Sequence, residues 1–178
     1  WDVLLEADAE APRFVINYFG YGNETENLEE DNFDFNRIRR RRLRFQPALR
    51  SRFSADKGKL TFGGLIEQID VEKTPNRFVS SDQSGLREEV FNSQGYAGFF
   101  GRLDFENVNH LFLPTKGFKL SAGVEWRRNL ERSSQSFANF HARLAVYQNL
   151  VRSEKLVLAS QLGWARNTGK IEEDFEFF

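Results

Sequence analysis

From Phe118 to Arg127 every second residue is apolar. Phe118, Leu120, Ala122, Val124 and Trp126 share one face of an extended chain, and Lys119, Ser121, Gly123, Glu125 and Arg127 share the other. The same period returns over residues 97–106, 138–147 and 156–165. Each stretch is about ten residues long, the length that crosses a bilayer at a tilt rather than the shorter strand of an ordinary sandwich. Period and turn chemistry predict about eight antiparallel strands, over residues 3–9, 13–21, 35–53, 59–71, 95–108, 118–130, 136–148 and 156–166.

The connections between these strands tend to alternate short and long: 10–12, 22–34, 54–58, 72–94, then a turn at 109–117 and a short polar link at 131–135. A bacterial outer-membrane barrel has this asymmetry, with tight periplasmic turns on one rim and longer extracellular loops on the other. Residues 23–34 and 72–94 are therefore expected on the extracellular rim, and 55–58 and 151–155 on the periplasmic rim. The stretch 35–53 is too long for a simple span; Leu43, Phe45, Pro47 and Leu49 form a lipid-facing set. Arg37, Arg39, Arg40, Arg41 and Arg42 fall on both faces and are expected above the hydrocarbon, where arginine on the lipid side is less costly. Along 59–71 the apolar phase moves from Leu60, Phe62 and Ile66 to Ile69 and Val71, which predicts a bulge near Gly63 and Gly64.

Composition changes the picture in three ways. Mean hydropathy is -0.57, and no apolar run is long enough for a membrane helix, yet a barrel strand needs only alternate apolar residues. Nineteen Phe with no Met and only four Pro suit strands and interfaces better than a helical core. The absence of Cys removes thiolate chemistry and disulfides, and a net charge of -1 gives no reason to expect nucleic acid. With neither an initiator Met nor a signal-peptide pattern in view, the true amino terminus is expected upstream.

Candidate chemistry is sparse. No nucleophile elbow, phosphate-binding glycine loop or zinc helix occurs, so no catalytic residue, cofactor or metal is expected. His110 falls in a turn and His141 on a polar strand face. Asp31 and Asp34, with Glu29 and Glu30, offer oxygen ligands without calcium-loop spacing, and Asn23-Glu24-Thr25 matches a glycosylation sequon by chance. The arginines at 37 and 39–42 are candidate contacts for lipopolysaccharide phosphates, because guanidinium forks bind phosphate bidentately; pairing with loop acids is the plainer reading. Phe118, Leu120, Val124, Trp126, Phe140, Leu144, Leu158, Leu162 and Trp164 are predicted to face lipid. Lys119, Glu125, Arg127, Arg143, Gln161, Arg102, Asp104 and Glu106 are predicted to face a lumen, as a hydrated channel or an ion-pair network.

Three ordered pieces of residues 105–178 carry a resemblance. The run Leu111-Phe112-Leu113-Pro114-Thr115-Lys116-Gly117-Phe118 looks like a Pro-Thr-x-Gly periplasmic turn opening a strand, followed by a strand ending Tyr147-Gln148-Asn149-Leu150 and an ascending strand over 156–164. Together they resemble the carboxy-terminal barrel of the BamA/TamA, or bacterial surface antigen, family. Residues 174–178 resemble the approach to that family's inward-folded loop, and residues 1–94 match only in general style. The resemblance implies part of a transmembrane barrel of roughly sixteen strands in the bacterial outer membrane, with residues 1–178 as one partial barrel domain. It also implies contacts with outer-membrane lipids, unfolded outer-membrane protein clients, and accessory lipoproteins or periplasmic domains. Pro114, Thr115 and Gly117 are the turn motif. A barrel anchoring a fused phosphoesterase or patatin-like hydrolase, a passive diffusion pore and a soluble sandwich or lipocalin-like carrier are the competing readings. An open half-barrel is not expected to form a stable monomer on its own.

Overall fold

A computed structural model describes residues 1–19, 34–81, 84, 86, 88–131, 136–151 and 156–168. Seven strands form one antiparallel sheet in which each strand pairs with its neighbour in sequence. They are β1 (Asp2–Asn17), β2 (Arg37–Phe53), β3 (Gly58–Val71), β4 (Gln94–Val108), β5 (Gly117–Asn129), β6 (Ser136–Asn149) and β7 (Val157–Thr168). Two short 3-10 turns, Phe78–Ser80 and Glu88–Phe91, lie between β3 and β4. No described helix is long and apolar enough to cross a membrane.

The first two expected strands are one. Around Pro12 the pairing of β1 with β2 slips between Glu10 and Phe14, where the chain bulges instead of turning. Proline there removes a ladder donor, and the bulge absorbs that loss without ending the strand. The expected bulge at Gly63 and Gly64 is absent, because the register is unbroken from Arg40 opposite Val71 to Phe53 opposite Gly58. The apolar phase of β3 changes for another reason. Leu60, Phe62 and Ile66 lie on one face, whereas Ile69 and Val71 lie on the other and join Ile38, Tyr96, Phe137, Val79 and Val90 in the buried core.

That core explains the segment between β3 and β4. Its described residues fold back onto the sheet instead of standing away from it as a rim loop: Val79 and Val90 are buried, and Phe78 donates its backbone N–H to the Phe35 carbonyl. Lys73 pairs with Glu88 and lies 5.4 Å from the Phe91 ring centre, which clamps the two ends of the segment.

The face carrying this core is concave. Arg44 on β2 reaches Glu125 on β5 at 2.7 Å, although three inter-strand intervals measure roughly 14 Å along a flat sheet. Gly98 on β4 lies beneath that bend. A Cβ at Gly98 would run into the Trp126 carbonyl, whereas one at Gly101 would make an ordinary contact 3.6 Å from Val124. Gly98→Ala is therefore expected to lower folding stability by about 1–3 kcal/mol and Gly101→Ala to be near neutral, read from urea midpoints of the intact protein.

Candidate functional site

The two faces of the sheet carry different chemistry. All nine residues predicted to face lipid lie on the convex face, in register with one another across β5, β6 and β7. The large apolar side chains exposed on the strands share that face, including Val3 on β1, Phe45 and Leu49 on β2, Ile66 on β3 and Phe99 on β4. Leu162 is 74% exposed and Ile66 61%. Ring contacts tie neighbouring strands together: Phe99 stacks on Trp126 at 5.2 Å and Phe105 on Phe118 at 5.7 Å. The Phe53 ring lies over Gly58 and meets Phe105 at 6.1 Å, a path that a side chain at Gly58 would block.

The apolar face is a band with edges. Toward the rim formed by the β1–β2, β3–β4 and β5–β6 connections, its continuous run ends at Ala9, Leu43, Ile66, Ala97, Trp126, Ala138 and Trp164, with Val15 opposite Arg39 past the β1 bulge and Leu130 just after β5 as isolated apolar residues nearer the rim. Beyond them on the same face come residues such as Arg41, Gln68, Arg128, Ser136 and Arg166. One register row runs through Leu5, Pro47, Gly64, Phe99, Trp126, Ala138 and Thr168. Against that row the edge sits four residues toward the rim on β1 and β2, two on β3 and β4, level on β5 and β6, and four below on β7. The edge thus descends by about 1.3 residues per strand, which at roughly 3.3 Å per residue and 4.8 Å per strand is an angle of about 40°. A flat polar–apolar boundary crossing the sheet at that angle means strands tilted by about 40° to its normal, the tilt of membrane barrels. From Phe118 to Trp126 the band is about 20 Å tall at this tilt.

The concave face carries the charges. Lys119, Glu125, Arg127, Arg143, Gln161, Arg102, Asp104 and Glu106 all lie on it. At its centre is Glu67, 1% exposed, a residue the sequence reading did not single out. Arg127 donates to Glu67 Oε2 at 2.6 Å, while Glu67 Oε1 lies 3.8 Å from Arg42 Nε and 3.9 Å from Arg44 Nη1. Arg127 also pairs with Glu125; Arg42 pairs with Asp8 at 3.2 Å and with Glu10 at 3.0 Å. Arg40 donates to Glu10 through Nη2 at 2.6 Å and Nε at 3.0 Å. The result is a ladder of alternating sign from β1 to β5, and Arg127 crosses β4 over Gly98, which has no side chain to obstruct it. The signal for Glu67 lay in parity, since it shares a face with Leu65, Ile69 and Val71.

The arginine run is split by the strand it sits on. Arg40 and Arg42 point into the ladder, whereas Arg37, Arg39 and Arg41 lie on the convex face and pair with Asp34 at 3.0 Å, Glu72 at 3.4 Å and Asp70 at 2.6 Å. Pairing with acids is what the geometry displays. His110 lies in the β4–β5 turn, and His141 on the concave face beside Gly123. Among the described residues no group of acids and histidines is placed to hold a metal ion. Glu29, Glu30 and Asp31, the sequon at 23–25 and the stretch 174–178 lie outside the described residues.

The Pro114, Thr115, Gly117 turn has a local cause. Asn109 Oδ1 accepts the backbone N–H groups of Thr115 and Lys116 at 3.0 Å, and Asn109 Nδ2 donates to the Thr115 hydroxyl at 2.6 Å. Gly117 has φ +115°, and a Cβ there would meet the Asn107 carbonyl, so the motif needs glycine at this position. No family model matches the chain, and neither does any curated protein or solved structure.

Removing Glu67 takes the most buried carboxylate from between Arg127, Arg42 and Arg44, which then share Glu125, Asp8 and Glu10, and leaves excess positive charge in a buried site. Glu67→Ala is expected to cost about 3–5 kcal/mol in urea-titrated folding of the intact protein, and Glu67→Leu combined with Arg127→Met to recover most of that loss.

Proposed function

We propose that this sheet is a wall of an outer-membrane β-barrel of roughly sixteen strands, of the BamA/TamA type, which inserts or exports proteins at the bacterial outer membrane. The observation that carries the membrane part is the stagger of the apolar band. A polar boundary that steps obliquely across seven strands at about 40° is what a membrane interface imposes on tilted barrel strands. The Pro-Thr-x-Gly turn, whose closure by Asn109 and positive φ at Gly117 account for its residues, supports the family resemblance. On this reading lipids cover the convex face, unfolded barrel proteins are the clients, and accessory lipoproteins or periplasmic domains join from the short-turn rim. A passive diffusion pore is disfavoured, because the ladder and the infolded segment occupy the concave face where solute would pass.

No side chain here is assigned covalent chemistry, so activity is tested on the whole protein. Proteoliposomes holding it are expected to speed insertion of an unfolded barrel client; a rate no faster than empty liposomes overturns the reading. The wall is tested separately by charge. Leu49→Arg, near the middle of the convex band, is expected to destabilise vesicle-folded protein by about 2–4 kcal/mol, while Gln161→Arg on the concave face leaves it nearly unchanged.

A further inference from the structure

The convex band carries a shallow, open depression of about 430 Å³. It is lined by the small residues Gly101, Ala122 and Ala142 together with the larger Leu60, Leu103, Phe140 and Trp164. It follows one register row from Leu60 on β3 through Leu103, Ala122 and Ala142 to Trp164 on β7, four strand intervals or roughly 19 Å. Because the strands tilt, this row does not stay at one depth. Leu60 lies near the short-turn end of the apolar band on β3, and Trp164 is the last apolar residue before the opposite polar edge on β7. The depression therefore climbs through the band and reaches its last apolar residue on β7, Trp164.

Arg166 is the next convex-face residue beyond Trp164, in register with Phe140. It is exposed, and like Arg128 it forms no ion pair among the described residues. On the same rim Arg37, Arg39 and Arg41 each have an acid partner. A guanidinium without an acid partner among the described residues, one step along the strand from an apolar depression of acyl-chain length, is complementary to one kind of molecule.

We propose that the depression and Arg166 bind a membrane lipid with an anionic phosphate head group, its acyl chain along Gly101, Ala122 and Ala142 and its phosphate on the Arg166 guanidinium. The site rests on the membrane-wall reading and adds a defined lipid to it. Trp164 reports occupancy once every other tryptophan is replaced by phenylalanine and the intact protein is placed in vesicles. Dibromo-acyl phosphatidylglycerol is expected to associate at Trp164 about fivefold more strongly than dibromo-acyl phosphatidylcholine, judged by quenching. Arg166→Gln brings the two to parity, Ala142→Phe lowers quenching by both as its ring fills the depression, and Arg39→Gln changes neither. A preference that survives Arg166→Gln, or quenching untouched by Ala142→Phe, overturns the site. Protein that stays in the soluble fraction and is quenched by no brominated lipid overturns instead the membrane reading beneath it.

Discussion

The buried carboxylate of Glu67 is the constraint on which the rest of the sheet depends. A carboxylate taken out of water is expensive unless opposite charge surrounds it, and no single neighbouring strand supplies enough. Arg127 comes from β5 and hydrogen-bonds Oε2, while Arg42 and Arg44 from β2 lie 3.8 and 3.9 Å from Oε1, so offsetting the Glu67 charge draws together strands on either side of β3 and β4. Arg44 then continues to Glu125, closing the span. The sheet must curl toward the charges for these contacts to form, and Gly98 makes the curl sterically free where Arg127 crosses. The convex apolar face is the other side of the same bend: residues that alternate with the ladder are turned outward by the pleat.

Curvature also orders the third component, the segment between β3 and β4. A concave sheet leaves a hollow at the rim above the ladder, and Ile38, Ile69, Val71, Tyr96 and Phe137 present apolar side chains into it. Val79 and Val90 fill that hollow. The inner surface therefore changes character with height, from ionic at Glu67 to apolar at Val71, while the outer surface changes the opposite way, from apolar at Ile66 to charged at Asp70. This inversion produced the phase change along β3. A two-residue period with one apolar side cannot describe a strand whose apolar side switches faces when a loop folds over its end.

The all-β architecture, the positions of most strands and the two-faced character were legible because they depend on local period and turn chemistry. Each residue predicted outward on β5 to β7 lies on the convex face, and each predicted lumen residue on the concave one. What escaped depends on long-range register. Pro12 reads as a turn in one dimension, yet the pairing of Glu10 with Arg42 and Phe14 with Arg40 carries the strand through it. Glu67 reads as one more polar strand residue until β2 and β5 place arginines around it. The Arg37 to Arg42 run reads as one basic patch, but the pleat sends its members to opposite faces and hence to different acids.

One consequence concerns the sheet's edges. Among the described residues β1 and β7 are each paired on one side only. An exposed edge in water is solvated, but in hydrocarbon each unpaired backbone N–H or C=O costs several kcal/mol. Side chains cannot repair this, since those of β7 stand on its two faces and leave its edge bare. The same band that makes the convex face suited to lipid thus makes the isolated sheet unsuited to it, and the two conditions are met together only when further strands pair with β1 and β7. On the proposed barrel reading the roughly 40° tilt sets how such strands would register, because each one added would shift the band by about 1.3 residues. Under the proposed membrane reading closure is then a condition of residence in the bilayer, and the inner ladder bends the sheet in the direction that closure requires.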